Sequence, residues 1–270
     1  MTTRSEWIPP NVDETQPSGA RTYDFLLGGA HNFEVDRVMA EKVKQAVPGI
    51  QEAARINRAF LGRAVRFMIS QGVRQFLDVG SGIPTVGNVH EVAQHADPEC
   101  RVVYVDRERV AVAHSELMLA ANDRADIVHA DFRDPDSILN SSQVRRLLNF
   151  DEPIGLLFLL VLHWVPDDSI GLLARYRDAA PSGSYLAITH MTADAQQDKI
   201  SDVAGIVNRS RADGNVFPRA YEEIAAMFGD FELIEPGLVA TGNWRPAGPG
   251  DLAKDAEMNQ LSYAGIARKP

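Results

Sequence analysis

Apolar positions change their period once along the chain. Through the first seventy residues they recur at helical spacing. Tyr23, Leu26 and Leu27 form one stripe, opened by Ser18 as N-cap and closed by Gly28-Gly29. Val35, Val38, Met39, Val43, Ala46 and Val47 form a second between Asn32 and Pro48. Phe60, Leu61, Ala64, Val65 and Met68 form a third within 51–70. Residues 1–16 are polar and proline-bearing and read as an unstructured lead-in.

From residue 75 short apolar runs alternate with helical stripes, the signature of a parallel sheet with crossover connections. Strands are predicted at 75–79, 101–105, 125–129, 155–161 and 184–189, with helices near 88–95, 108–121, 135–148 and 168–179. Helices near 197–211 and 218–228 follow, the second with Pro218 in its first turn. The last two strands, 231–235 and 262–268, have no clear helix between them, which predicts an antiparallel pair. The expected class is α/β: a Rossmann-like, doubly wound sheet of seven strands, mostly parallel with an antiparallel last strand, over 75–270. An N-terminal helical extension, 1–74, is expected to act as a lid. Such a sheet binds its ligand outside the carboxyl ends of the strands, next to strand one.

Composition narrows the partners. A formal net charge of −10 repels phosphate backbones, so no nucleic-acid partner is expected and a small-molecule acceptor is favoured. The single cysteine, Cys100, permits neither an internal disulfide nor a cysteine-rich metal site, no metal is expected, and a reducing compartment fits. The N-terminus lacks the apolar core of a signal peptide, and the most apolar run, 154–165, is shorter than the roughly 20 residues that span a bilayer. A cytoplasmic protein without membrane contact is expected; oligomeric state is not readable.

The loop after the first strand reads FLDVGSGIPTVGNVHEV, residues 76–92. A P-loop needs a lysine after its glycines, and none is there. A dinucleotide loop needs a third glycine with the helix opening inside the fingerprint. Here that place is Thr85, Pro84 has no N–H to donate, and Asn88 three residues before Glu91 predicts a capping box that starts the helix late. Asp78, Asp106 and Asp131 stand at the ends of strands one, two and three and are expected to line one crevice. Asp106, with Arg107 beside it, can accept both hydroxyls of a ribose, as NAD also requires. Asp131-Phe132 offers a carboxylate and a ring to adenine. The set favours S-adenosylmethionine, which has a ribose diol and a cationic amino-acid end but no phosphate. An NAD-dependent oxidoreductase and a non-catalytic binding or regulatory protein stand as alternatives.

ARTYDFLLGGAHNFEVDR (20–37), FLDVGSGIPTVGNVHEVAQ (76–94), VVYVDRERVAVAHS (102–115), LLFLLVLHWVPD (156–167) and the terminal YAGIARKP span almost the whole chain. In these motifs the sequence resembles the class I S-adenosylmethionine-dependent methyltransferases, and in particular an actinobacterial family of largely uncharacterised members. The resemblance implies cofactor contacts from Gly80, Ser81, Gly82, Asp106, Asp131, Phe132, Leu162 and His163. Thr85 departs from the third glycine of many class I enzymes but agrees with the narrower family.

Residues 21–33 gather Arg21, Tyr23, Asp24, His31 and Asn32 around Gly28-Gly29. We expect this segment to close over the methionine end of the cofactor, with Arg21 and Tyr23 touching it. Methyl transfer needs a base only for a protonated acceptor. His163 after strand four is the first candidate for that catalytic role; His190 and His31 are weaker. His31, Asn32, His190 and Trp244 are the candidate acceptor contacts, with 191–217 and 236–261 shaping the acceptor site.

Overall fold

The structure, a computed structural model, describes residues 8–9, 12–85, 87–166, 169–210, 214–246 and 257–270. Three helices come first: α1 (Gly19–Leu26), α2 (Glu34–Ala46) and α3 (Ile50–Ser70). There follow β1 (Gln75–Val79), α4 (Val89–Ala96), β2 (Arg101–Asp106), α5 (Arg109–Leu119) and β3 (Ala125–His129). The second half runs α6 (Pro135–Leu139), α7 (Ser142–Leu147), β4 (Gly155–Leu159), α8 (Ser169–Ala179), β5 (Tyr185–Met191), α9 (Gln197–Ser210) and α10 (Tyr221–Ala226). Three antiparallel pieces close the chain: β6 (Glu232–Leu233), β7 (Val239–Ala240) and β8 (Ser262–Arg268). Among the described residues no helix is long and apolar enough to cross a membrane.

The sheet order is β3-β2-β1-β4-β5-β8-β6, with β1 to β5 parallel and β8 antiparallel to β5. This is the doubly wound arrangement, reversing beside β1. The strand count is eight rather than the predicted seven. The edge opposite β8 is broken: Leu233 pairs with Ala267 and Val239 with Ala264, with a turn closed by Gly237 N–H to the Ile234 carbonyl between them. Pro236 lies in that turn and has no N–H for the ladder.

Alternation along the strands sorts the core into two layers. Leu77, Val79, Val103 and Val105 pack with Ile138, Leu147, Leu173 and Phe228 on one face. Phe76, Val102 and Tyr104 pack with Phe60, Val65 and Met68 of α3 on the other. Both faces of β1 are buried, which is why Phe76 and Leu77 are apolar in succession rather than alternating with polar residues. Because α3 shares this core, it fixes the site-facing side chains at its N-terminal half.

Local chemistry explains the shifted boundaries. The predicted helix at 135–148 divides because Ser141 accepts the Val144 N–H and caps a new helix. β4 stops at Leu159 because Leu160 takes φ 52°. Helix α10 begins at Tyr221, after Arg219 has formed an isolated bridge to Thr192, so Pro218 precedes it. The predicted helix limits at residues 168 and 211, and part of 236–261, lie outside the described residues. Ser18 precedes α1 but its hydroxyl makes no capping bond; its N–H donates instead to Asp36.

Candidate active site

A cavity of about 270 Å3 opens at the carboxyl ends of β1, β2, β3 and β4 and extends under α1, α2, α3 and α9. Its floor is the glycine loop. The N–H groups of Gly80 and Ser81 donate to the Val105 carbonyl at 2.8 and 3.1 Å. Gly80 has φ 71°, and a Cβ there would stand 2.3 Å from a methyl of Val161, so glycine is required on both counts. Glu91 accepts the N–H groups of Asn88 and Gly87, each at 2.8 Å, which starts α4 at Val89 as the sequence pattern predicted. The loop therefore ends in its own cap rather than presenting a bare helix N-terminus.

Asp106, at the end of β2, accepts from Gly82 N–H at 2.7 Å and from Glu108 N–H at 2.8 Å through its two oxygens. Asp78 lies deeper. Burial, reinforced by the neighbouring Asp106 charge and opposed by Arg58, raises its carboxyl to about 7. A carboxylate so placed favours a cationic partner, because ionisation without one is costly.

The third acid differs. Asp131 is gripped by Arg133 through Oδ1 at 2.9 Å and through Oδ2, with Arg107 at 3.4 Å. Burial pushes its carboxyl up, but the Arg133 hydrogen bonds and the two guanidinium charges outweigh this and hold it at about 2. It is not on the cavity wall; its neighbours Ala130, Phe132 and Arg133 are. After β4 the chain makes a 3-10 turn, Leu162–Trp164. Leu162 is buried behind the wall, whereas Val161, His163 and Trp164 line the cavity.

His163 is buried, and its Nδ1 has no hydrogen-bond partner among the described residues. Burial, with the nearby His190 and Arg219, lowers its pKa to about 3, so the ring is neutral and a poor resting base. His190 stands behind it at 6.0 Å between ring centroids and does not line the cavity. Arg219 lies 3.1 Å from Nε2 of His190; because a guanidinium only donates, Nε2 accepts and Nδ1–H donates to the Met191 carbonyl at 2.7 Å. Arg219 also donates to the carbonyls of Val165 and Pro166, so it staples the loop after β4 to β5.

The N-terminal residues separate by role. Tyr23 lines the cavity; its hydroxyl donates to the Ala54 carbonyl at 3.0 Å and accepts from Asn57 at 3.1 Å. Arg21 is outside the cavity, buried against Asp36 at 2.7 Å and Glu108 at 2.8 Å. Asn32 donates to Asp24 and the Gly29 carbonyl and holds the turn between α1 and α2. His31 packs on His114 at 3.8 Å between centroids, away from the cavity. Trp244 is fully buried beneath α3 against Phe60 and Phe67, so it is core rather than an acceptor contact.

Sequence reasoning missed Asn57, Arg58 and Glu108, all on the cavity wall. Asn57 also accepts from Thr189 at 2.8 Å, whose Oγ1 in turn accepts the N–H of Leu160, a cavity residue at positive φ. This chain of bonds joins α1 and α3 to the ends of β4 and β5. An Asn-Arg pair on the core-facing side of a helix was the available signal.

The S-adenosyl methyltransferase family matches the chain over residues 5–270. The chain belongs to that family. Its cofactor is S-adenosylmethionine, not NAD. The chain is 42% identical to a candidate methyltransferase from Thermobifida fusca, with a TM-score of 0.92 over 98% of this chain and 99% of that one. It is 33% identical to a DUF574 family protein from Streptomyces avermitilis, with a TM-score of 0.91 over 96% and 99%. No functionally curated protein matches it. The residues present fit the cofactor: the Ser81 hydroxyl is buried without a partner among the described residues, and Asp78 sets a buried carboxyl group on the same wall.

Proposed function

We propose that the protein transfers the methyl group of S-adenosylmethionine to a small-molecule acceptor bound in the same cavity. The observation that carries this reading is the convergence of the Gly80 to Gly82 loop, Asp78, Asp106 and Phe132 on one cavity that continues past them under α2 and α9. The space left over is the room an acceptor needs.

In this reading Asp106 accepts the ribose hydroxyls, Ser81 supplies a further hydrogen bond, and Phe132 covers the adenine. Asp78 meets the ammonium of the amino-acid end and Arg58 its carboxylate, each charge pairing with its opposite inside a low-dielectric pocket. Tyr23 and Asn57 hold α1 and α3 over that end and exclude water, the lid role expected of the N-terminal helices. When bound, the cofactor supplies an activated methyl group on a positive sulfur. The acceptor's lone pair forms the new bond to the methyl carbon as the carbon–sulfur bond breaks with its electrons left on sulfur; the acceptor's proton passes to water. Alignment is the residues' main contribution.

Incubation of cell extract with the protein and methyl-labelled cofactor, read by mass spectrometry, tests the reading. Label in a small molecule is expected; label transfer no faster than without protein contradicts it.

A further inference from the structure

The far end of the cavity differs in chemistry from the end at the strand termini. It is walled by Met39 and Val43 of α2, Ile50 of α3, and Ile200, Val203 and Val207 of α9. All but Ile50 belong to one buried apolar cluster that includes Leu261, and the partly buried Ile50 packs against it. No titratable side chain contributes to this wall among the described residues, and the acids and arginines of the cavity all sit at its other end. A charged ligand there would lose its hydration without gaining a partner. Beside the apolar wall the turn after β4 contributes a polar side chain. His163 lines the cavity, is only 6% exposed, and leaves Nδ1 unsatisfied among the described residues. Arg219 and His190 fix the loop that carries it, so the imidazole is held in place rather than free to find a partner. A buried, unbonded ring nitrogen costs free energy that a ligand can recover.

Resting on the methyltransferase reading, we propose that the acceptor is an uncharged, mainly apolar molecule whose body lodges between α2, α3 and α9 and whose single hydroxyl or N–H group bonds to His163. His163 is then a positioning residue. It orients the acceptor atom as a neutral ring, since burial, with His190 and Arg219 nearby, lowers its pKa to about 3. The proton released on methylation leaves to water, and the bond made to the methyl carbon replaces the one broken to sulfur.

The test uses the full chain saturated with S-adenosylhomocysteine and measures the affinities of 1-hexanol, 1-octanol, octanoate and octylammonium by competition or calorimetry. The alkanols should bind, with affinity rising roughly fourfold per added methylene as expected for apolar burial. Octanoate and octylammonium should bind at least tenfold more weakly than octanol. Val203→Asp and, without added charge, Val203→Trp should each reduce octanol affinity tenfold or more while homocysteine-cofactor affinity stays unchanged. His163→Phe should weaken octanol severalfold, and His163→Asn should restore part of the loss. Equal or tighter binding of either charged probe, or octanol affinity indifferent to both Val203 substitutions, overturns the proposal. Failure of S-adenosylhomocysteine to bind, with octanol still entering, overturns the methyltransferase reading and leaves the apolar chamber standing.

Discussion

The carboxylate of Asp106 accepts the backbone N–H of Gly82 at 2.7 Å, which ties the end of β2 to the loop after β1. The same carboxylate is proposed to hold the ribose, so one side chain both shapes the loop and binds the ligand. Asp106→Asn keeps a carbonyl oxygen for Gly82 but loses the charge and the acceptor for the Glu108 N–H. We expect a folded variant whose S-adenosylhomocysteine affinity drops about 10- to 100-fold, the range for hydrogen bonds to charged groups, measured by calorimetry.

With Asp78 meeting the ammonium of the cofactor as proposed, cofactor binding should depend on pH. The Asp78 carboxyl titrates at about 7 in the free protein, and a cationic ligand binds the ionised form. Affinity for S-adenosylmethionine should rise as pH increases toward 7 and level off above it. Asp78→Asn should bind weakly and flatten the profile.

The same residue has a stability consequence of opposite direction. Its folded pKa lies above its unfolded value, so the folded state binds the extra proton between about 4 and 7. Stability from this group is present below that window and lost as pH rises through it. Thermal melts without cofactor should show Asp78→Asn gaining more over the native protein at pH 8 than at pH 4.5.

Gly80→Ala is expected to destabilise by about 1–3 kcal/mol, the scale of a strained backbone residue, because the site combines φ 71° with a 2.3 Å approach to Val161. Adding Val161→Ala should recover the steric part and leave the conformational part, as read from denaturant unfolding.

Arg21 is structural. Its removal leaves Asp36 and Glu108 as buried carboxylates without their guanidinium. Arg21→Ala should lower stability by about 3–5 kcal/mol, as for other broken buried pairs. Any loss of cofactor affinity should track the unfolded fraction, since Arg21 does not reach the cavity.

The sequence carried the sheet and its ligand loop further than it carried the rest of the site. Strand positions were legible because β1 to β5 are buried on both faces and read as apolar runs, and the late start of α4 followed from Asn88 and Glu91. Arg133 stands only two positions from Asp131, but whether its side chain turns back onto the carboxylate or out to solvent depends on the loop's conformation, which spacing does not give. Nor could it tell that Trp244 would fill the underside of α3, since a tryptophan beside an arginine reads alike in a core and in a binding loop. Asn57 and Arg58 were hidden for a related reason: their role depends on which end of a long helix overhangs the strands, a tertiary fact.

The most direct test of the central claim is a calorimetric titration of the purified full chain with S-adenosylmethionine, run in parallel with NAD and repeated on Asp106→Asn. Saturable binding of one S-adenosylmethionine per chain, none of NAD, and weakening of at least tenfold in the variant are expected. Absence of S-adenosylmethionine binding, or binding that Asp106→Asn leaves unchanged, contradicts that claim.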